Sequence, residues 1–340
     1  MLQFDFSTFD LPFEYPFKIS KGLKTSQPTL IVFLAMGAQY GLGEATEILY
    51  YDNTISQMAD TLQKQQNNIR KYAYNGPERF WHYMHHLIPD QHFLISALDC
   101  ASWDLWSKLQ GQPLHSLLKL KWSDQVPATD YTLGISSPEA LLDKIKAHPF
   151  PVYKLKVNGA GDIPMLQTLL ERTVAKVRID ANEGWDKDDF NAILPLLSQD
   201  RVELIEQPFH KEDLDSLHYY KEKCGIPVIA DEAITGPLSL KQQLGYYDGV
   251  NIKLSKCGGI TPALQMIQYA RQQNKKVMLG SMSESAVGAA ALAQLLPLAD
   301  YADIDGPLLL KKNVGTGLMY APDGKISFRE PVGIGISWKA

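Results

Sequence analysis

The sequence predicts an α/β protein in which a modified (β/α)8 barrel of the TIM type follows an N-terminal α+β capping domain. Eight strand-like runs lie between Thr129 and Ile304, and helical stretches separate most of them. Eight parallel strands alternating with helices are the number that closes a barrel. Ahead of them, two strand-like runs precede a long helical stretch, which is the order expected of a separate α+β domain.

Length and charge limit the possible partners. The chain has 340 residues, which exceeds the roughly 250 of one barrel and leaves room for a second domain. Its net charge of −5 gives no reason to expect nucleic acid or a membrane surface. The N-terminus lacks a basic and apolar leader, and the three cysteines are far apart. We therefore expect a cytoplasmic protein that binds a small molecule, as a possible homo-oligomer.

The first domain begins with a strand pair. Leu30–Met36 and Tyr40–Thr46 read as strands joined by a turn at Gly37. An apolar stripe then marks one face of a helix, with members four, three and four residues apart: Leu94, Leu98, Ala101 and Leu105. We expect a capping domain over 1–120, a barrel over 121–315, and a segment over 316–340 that returns to the capping domain.

Charged side chains recur at the ends of five apolar runs. From Lys156, the positions Asp180, Glu206, Asp231 and Lys253 follow at steps of 24, 26, 25 and 22 residues. Such a step is the length of one strand, one helix and two loops. Each charged group therefore stands at the C-terminal end of a barrel strand, which is where barrel enzymes hold their catalytic groups.

The three acids in this series predict a metal site. Asp180, Glu206 and Asp231 fall on consecutive strands, and clustered carboxylates without a cation would repel one another. Carboxylate oxygens suit Mg²⁺, and the lack of nearby His or Cys argues against zinc. Acids at loop starts also cap helices, but three in consecutive units favour the metal site.

The lysines at the two ends of the series predict acid/base chemistry. Lys156 and Lys253 belong to the second and sixth strands, which lie across the mouth of a closed barrel. Two amines on opposite sides of a metal can each address one face of a substrate carbon. Lys154 shares the strand face of Lys156, where it would hold the pKa of Lys156 at a lowered value or bind a substrate carboxylate.

Together these motifs resemble the enolase superfamily, and specifically its muconate-lactonising subgroup. The matching segments are YKLKVN, RIDANEGW, ELIEQP, IADEA and NIKLSKCGG, with GLGEA and ALDCASWDLWSKLQGQPLHSLL in the first domain. The resemblance implies Mg²⁺ on Asp180, Glu206 and Asp231. It also implies Lys156 and Lys253 as the acid/base pair of a 1,1-proton transfer through an ene-diolate.

The eighth strand distinguishes among members of the subgroup. In ADIDGP, Asp303 and Asp305 are two apart and face the same way. This pair resembles that of dipeptide epimerases, where it binds the ammonium of an L-Ala-L-Xaa dipeptide. The expected enzyme is therefore an isomerase that inverts the second residue. An N-acylamino acid racemase or cycloisomerase stays open as the alternative, and a Schiff-base aldolase or a non-catalytic barrel is less favoured.

Four further residues are candidates for substrate binding. Thr132 matches a hydroxyl position that can bind the dipeptide carboxylate in the family, and Ser281 and Ser283 end the seventh strand. The loop Ser20–Ser26 would select the second residue of the dipeptide. Lys24 stands where some Ala-Glu epimerases carry an arginine that pairs with the glutamate side chain. Lysine cannot make the two parallel hydrogen bonds to a carboxylate that arginine makes. We therefore predict a broad or apolar preference.

Overall fold

The N-terminal domain begins with a three-stranded antiparallel sheet. We describe a computed structural model over residues 2–19, 22–198 and 200–338. The strands are β1 (Gln3–Ile19), β2 (Gly22–Met36) and β3 (Gln39–Thr46), hydrogen-bonded in that order. Gly37 makes the turn between the last two with a left-handed φ of 62°, a conformation that glycine adopts without strain.

Four helices follow this sheet. They are α1 (Ile55–Lys71), α2 (Pro77–Leu87), α3 (His92–Leu109) and α4 (Leu114–Leu117). The third lies directly against β3, because a Cβ built on Gly43 would stand 1.8 Å from the Ala97 carbonyl oxygen. Glycine at this position therefore lets the helix and strand backbones meet, and the predicted apolar stripe is buried at this contact.

Eight parallel strands form the second unit. Their order in the sheet is sequential, from β4 to β11. A bridge from Thr129 to Ala302 joins the two ends, so the sheet closes into a barrel and the predicted fold class is confirmed. The strands are β4 (Tyr131–Leu133), β5 (Val152–Lys156), β6 (Lys176–Asp180), β7 (Val202–Glu206), β8 (Val228–Ala230), β9 (Gly249–Ile252), β10 (Lys276–Gly280) and β11 (Tyr301–Asp303).

Helices follow the strands of the barrel. They are α5 (Pro138–Ala147), α6 (Ile163–Arg172), α7 (Lys187–Ile193), α8 (Leu214–Lys223), α9 (Pro237–Gln243), α10 (Leu254–Cys257), α11 (Ile260–Gln272), α12 (Ala286–Ala293) and α13 (Gly306–Leu309). A small hairpin of β12 (Leu318–Tyr320) and β13 (Ile326–Phe328) follows. Among the residues described, no helix is long and apolar enough to cross a membrane.

The barrel interior changes from apolar to charged along its axis. Leu204, Ile229 and Met278 form a small cluster with no exposed surface, which closes the floor. Side chains alternate along a strand, so Glu206 lies above Leu204, and Asp231 above Ile229, on the same interior side. The strand pattern thus places apolar residues below and charged residues at the C-terminal ends.

Buried polar contacts join the two units. Glu44 on β3 accepts hydrogen bonds from the Ser285 amide at 2.8 Å, the Ser285 hydroxyl at 2.6 Å and the Gly288 amide at 2.9 Å, at the start of α12. Near the C-terminus, the Ile334 amide donates to Asp104 of α3 at 2.8 Å. These contacts hold the capping domain over the C-terminal ends of the barrel strands.

Candidate active site

Strand register brings the three predicted metal ligands together. Asp180 and Glu206 are paired residues at the ends of β6 and β7, and Asp231 directly follows β8. Their exposed fractions are 0%, 0% and 2%. Three carboxylates at this burial are compatible only with nearby cations.

Lys154 lies among these acids. Its Nζ is 3.0 Å from Asp180 Oδ2, 2.7 Å from Glu206 Oε2 and 2.6 Å from Asp303 Oδ2. Burial lowers the pKa of Lys154, but the surrounding carboxylates outweigh it and hold that pKa well above its ordinary value. Lys154 is thus a fixed cation that links the metal-site acids to the acids of β11.

The two predicted acid/base lysines stand on opposite sides of the barrel mouth. Lys156 Nζ contacts Asp180 Oδ2 at 2.6 Å and Asn182 Oδ1 at 3.1 Å. Lys253 Nζ contacts Asp231 Oδ2 at 2.9 Å. Burial lowers the pKa of Lys253, but the carboxylates of the site prevail and raise it. β5 and β9 are four positions apart in the eight-stranded order, so the two amines lie on opposite sides of the barrel mouth.

Asp303 and Asp305, at the end of β11, form a second cluster with Asp130, which precedes β4. Carboxylate oxygens of Asp130, Asp303 and Asp305 lie within 4.8 Å of one another. Arg178 Nη1 contacts Asp130 at 2.9 Å, and Lys154 contacts Asp303. These two cations pair with Asp130 and Asp303 and leave Asp305 without a salt bridge in the described part of the chain.

Asp305 is the acid of this cluster that has no ion pair within the described part of the chain. Its Oδ2 accepts the Thr132 backbone amide at 2.5 Å. Burial, followed by the charge of Asp303, raises the pKa of Asp305 to about 7. The predicted role of Thr132 in binding a substrate carboxylate stays a prediction, and Thr132 lies on β4, two strands from β6 in the sheet order.

One cavity of about 440 Å³ connects these groups. Its barrel wall includes Asp231 and the other predicted side chains that reach the mouth: Thr132, Lys154, Lys156, Lys253, Ser281, Ser283, Asp303 and Asp305. Its upper wall comes from the capping domain, including Leu23, Lys24, Leu49 and Tyr50. Asp180 and Glu206 lie beneath the ammonium groups of Lys154 and Lys156 and do not line the cavity.

Several positioning contacts were absent from the sequence analysis. Asn182 joins Lys156 to Glu232, because its Nδ2 donates to Glu232 Oε1 at 3.1 Å. Asn251 Nδ2 donates to Glu206 Oε1 at 2.7 Å. Gln207 Oε1 accepts the Asp231 amide at 3.0 Å. Each residue lies within two positions of a charged strand end, so a search of the flanking polar residues would have found them.

The donor set of Asp180, Glu206 and Asp231 fits a divalent cation. All donors are carboxylate oxygens, as Mg²⁺ prefers. Within the described part of the chain, Glu206 Oε2 accepts no hydrogen bond of good geometry, although it lies near Lys154. A buried carboxylate oxygen without a hydrogen-bond partner is costly unless a cation is close.

Two family models match the chain. Residues 6–119 match the mandelate racemase / muconate lactonizing enzyme N-terminal domain, and residues 138–340 match the enolase C-terminal domain-like family. The chain belongs to the mandelate racemase / muconate lactonizing enzyme family. The predicted resemblance to this subgroup of the enolase superfamily is confirmed.

Relatives of this chain in the family include named epimerases. The L-Ala-D/L-amino acid epimerase of Maribacter sp. is 37% identical over 339 residues, which are 99% of each chain. That of Flavobacterium johnsoniae is 35% identical over 97% of each chain.

Two solved structures have the same fold. The substrate-liganded L-Ala-D/L-Glu epimerase of Bacillus subtilis has a TM-score of 0.91 at 28% identity, covering 99% of both chains. The dipeptide epimerase of Cytophaga hutchinsonii, complexed with Mg and D-Ala-L-Val, has a TM-score of 0.91 at 27% identity. That comparison covers 99% of this chain and 95% of the other.

Proposed function

We propose that this protein is a Mg²⁺-dependent dipeptide epimerase, an isomerase that inverts the Cα of the second residue of L-Ala-L-Xaa dipeptides. The observation that carries the proposal is the position of Asp303 and Asp305. They share one cavity with Lys156 and Lys253. The strand β11 lies opposite β7 in the eight-stranded order, and Lys154 lies between Asp303 and the metal-site acids. The names of the relatives support the same reaction.

This arrangement orients a dipeptide by its two charged ends. The α-ammonium is attracted to Asp305, whose carboxylate has no ion pair within the described residues, while Lys154 already neutralises Asp303. The substrate carboxylate lies on the side of β6–β8, where the metal-site acids are. The Cα of the second residue then lies between Lys156 and Lys253. An N-acylated substrate has no ammonium and would leave the buried Asp305 carboxylate without an ion pair.

The proton transfer uses the two lysines in sequence. A neutral lysine takes the Cα proton, the C–H bond breaks, and its electron pair moves into the carboxylate to give an ene-diolate. The protonated lysine on the opposite face then donates its proton to Cα, which inverts the centre. Either lysine can act first, so the enzyme works in both directions.

Mg²⁺ would be held by Asp180, Glu206 and Asp231. When bound, it supplies positive charge that stabilises the second negative charge of the ene-diolate. Two asparagines of the chain hold other groups of the site in place. Asn182 fixes the Lys156 amine, and Asn251 fixes Glu206.

The cap would select the side chain of the second residue. In an ene-diolate, the carboxylate, the nitrogen and the side chain lie in one plane, with a lysine on either face. The floor of the barrel is filled, so the side chain extends towards the cap. There Leu23, Leu49 and Tyr50 are 62%, 69% and 43% exposed. These apolar groups support a preference for apolar second residues.

Lys24 is one of several polar residues in this wall, which also includes Thr25, Ser26, Gln27 and Glu47. Lys24 is half-buried, its Nζ donates to Gln27 Oε1 at 3.2 Å, and burial lowers its pKa. Ser20 and Lys21 of the predicted specificity loop lie outside the described residues. An ammonium that is hydrogen-bonded to a neutral amide binds a carboxylate more weakly than a bidentate arginine guanidinium does. We therefore keep the broad or apolar preference as the proposal.

The test is proton NMR of L-Ala-L-Xaa dipeptides in D₂O, with Mg²⁺ and then with EDTA. We expect the Cα–H signal of the second residue to disappear and the L,D diastereomer to form only with Mg²⁺. Comparison of side chains ranks the preference, and a clear preference for Glu contradicts the apolar wall. Turnover of N-acylamino acids in place of dipeptides would refute the epimerase assignment.

We also infer a cytoplasmic location. Cys100, Cys224 and Cys257 are all free thiols. Unpaired cysteines of this kind are typical of reducing compartments.

A further inference from the structure

Lys256 is a buried lysine that the proposed reaction does not use. It lies on α10, three residues after Lys253, and its side chain is 1% exposed. Lys256 does not line the cavity. A buried ammonium is costly unless its donors are paired, so its partners define its role.

All three donors of Lys256 are directed at the loop that carries Asp231. Its Nζ contacts Asp231 Oδ1 at 2.5 Å, the Asp231 carbonyl oxygen at 2.6 Å and the Ile234 carbonyl oxygen at 3.1 Å. An ammonium has three N–H groups, and each is matched here. Lys256 therefore fixes both the backbone of this loop and the rotation of the Asp231 carboxylate.

The two oxygens of Asp231 are held from opposite sides. Lys256 contacts Oδ1 from the core, and Lys253 contacts Oδ2 from the cavity. The backbone amides of the same loop are held separately, because Gln207 Oε1 accepts from Asp231 and Ala233 at 3.0 and 3.1 Å. The carboxylate is thus left with Oδ2 towards the cavity.

The local fold explains this arrangement. The strand β9 ends at Ile252, and α10 begins one residue later with Lys253 as its N-cap. Residues three apart lie on the same side of a helix. The short helix therefore turns both amines towards one carboxylate, although one faces the cavity and the other the core.

We infer that Lys256 is a positioning residue for Mg²⁺, which acts by fixing Asp231 and makes no contact with the metal or the substrate. This inference rests on the proposed function, in which Asp231 is a metal ligand. Removal of such an outer hydrogen-bond partner typically weakens metal affinity by about tenfold to a hundredfold. If Lys256 acted only through its charge, its removal would instead strengthen Mg²⁺ binding, because a nearby positive charge repels the metal ion.

The experiment is calorimetric titration of the purified protein with MgCl₂. We expect Lys256→Met to weaken Mg²⁺ binding by about tenfold or more, and kcat to recover towards the wild-type value at saturating Mg²⁺. Lys256→Gln keeps a donor and removes the charge, and it serves if Lys256→Met does not fold. We expect Lys256→Gln also to weaken Mg²⁺ binding. Unchanged or tighter binding in a folded variant overturns the inference.

A matched control separates a site effect from general destabilisation. Lys108 is another buried lysine, 9% exposed, and its Nζ contacts Asp104 at 2.8 Å within α3. We expect Lys108→Met to lower stability and leave Mg²⁺ affinity unchanged. A wild-type protein that neither binds Mg²⁺ nor epimerises dipeptides refutes the proposed function itself. A wild-type protein that does both, beside a variant of equal Mg²⁺ affinity, refutes only the role of Lys256.

Discussion

Replacement of Asp305 by asparagine tests whether Asp305 binds the substrate ammonium. The carboxylate is 3% exposed, and its neighbour Asp303 is paired with Lys154. Asp305 is thus the acid of the cluster that has no ion pair among the described residues. Asparagine keeps an oxygen for the Thr132 amide, so we expect the fold to persist.

The expected magnitude follows from the charged contact that is lost. A hydrogen bond to a charged group contributes about 1.5–3 kcal/mol, which corresponds to a decrease in kcat/KM of about tenfold to 150-fold. The assay compares L-Ala-L-Xaa with N-propionyl-L-Xaa, which has the same shape and lacks the ammonium. Wild-type enzyme should prefer the dipeptide by this factor, and Asp305→Asn should treat both substrates alike.

The control is Asp300→Asn, which removes the same charge at the opposite end of β11. Asp300 pairs with Arg271 on the outer surface and does not line the cavity. We expect this variant to keep the wild-type ratio between the two substrates. If Asp305→Asn also keeps that ratio, Asp305 does not bind the ammonium and this prediction is wrong.

Three further predictions follow from the site and the domain junction. KM for the dipeptide should rise as pH falls below about 7 in initial-rate assays, because protonation of Asp305 removes the charge that binds the ammonium; a flat profile contradicts this. Lys156→Ala and Lys253→Ala should each abolish epimerisation, yet retain solvent exchange of opposite Cα isomers by NMR in D₂O; loss of all exchange in both argues against two bases. Burial raises the pKa of Asp99 to about 7, so the native state holds a proton that the unfolded chain releases near about pH 4. The free energy of unfolding, measured in urea, should therefore fall as pH rises from about 4 to about 7, and it should fall less steeply in Asp99→Asn.

The sequence reveals the strand ends better than the contacts between them. An apolar run followed by one charged residue marks the end of β6, β7 or β9, because the strand and its C-terminal end at the barrel mouth differ in composition. The position of Lys154 among Asp180, Glu206 and Asp303 depends instead on the curvature of the barrel. A one-dimensional pattern contains no information about that curvature.

The same limit applies to Lys256 and to the cap. Lys256 lies inside the recognised NIKLSKCGG motif, but its contact with Asp231 arises only because α10 begins immediately after β9. Tyr50 reaches the cavity from a short helix of the capping domain, Leu49–Tyr51, and donates to Glu183 of the barrel at 3.0 Å. Docking of two distant segments leaves no periodic signal.

The cavity has walls from two domains, and this division affects how the substrate range of the protein can change. Proposed acid/base and metal-binding groups all belong to the barrel, while the wall that faces the second side chain includes Leu23, Leu49 and Tyr50 of the cap. Glu44 holds the two units together at a distance from that wall. New substrate ranges can therefore arise through substitutions in the cap alone, with the machinery of proton transfer left intact.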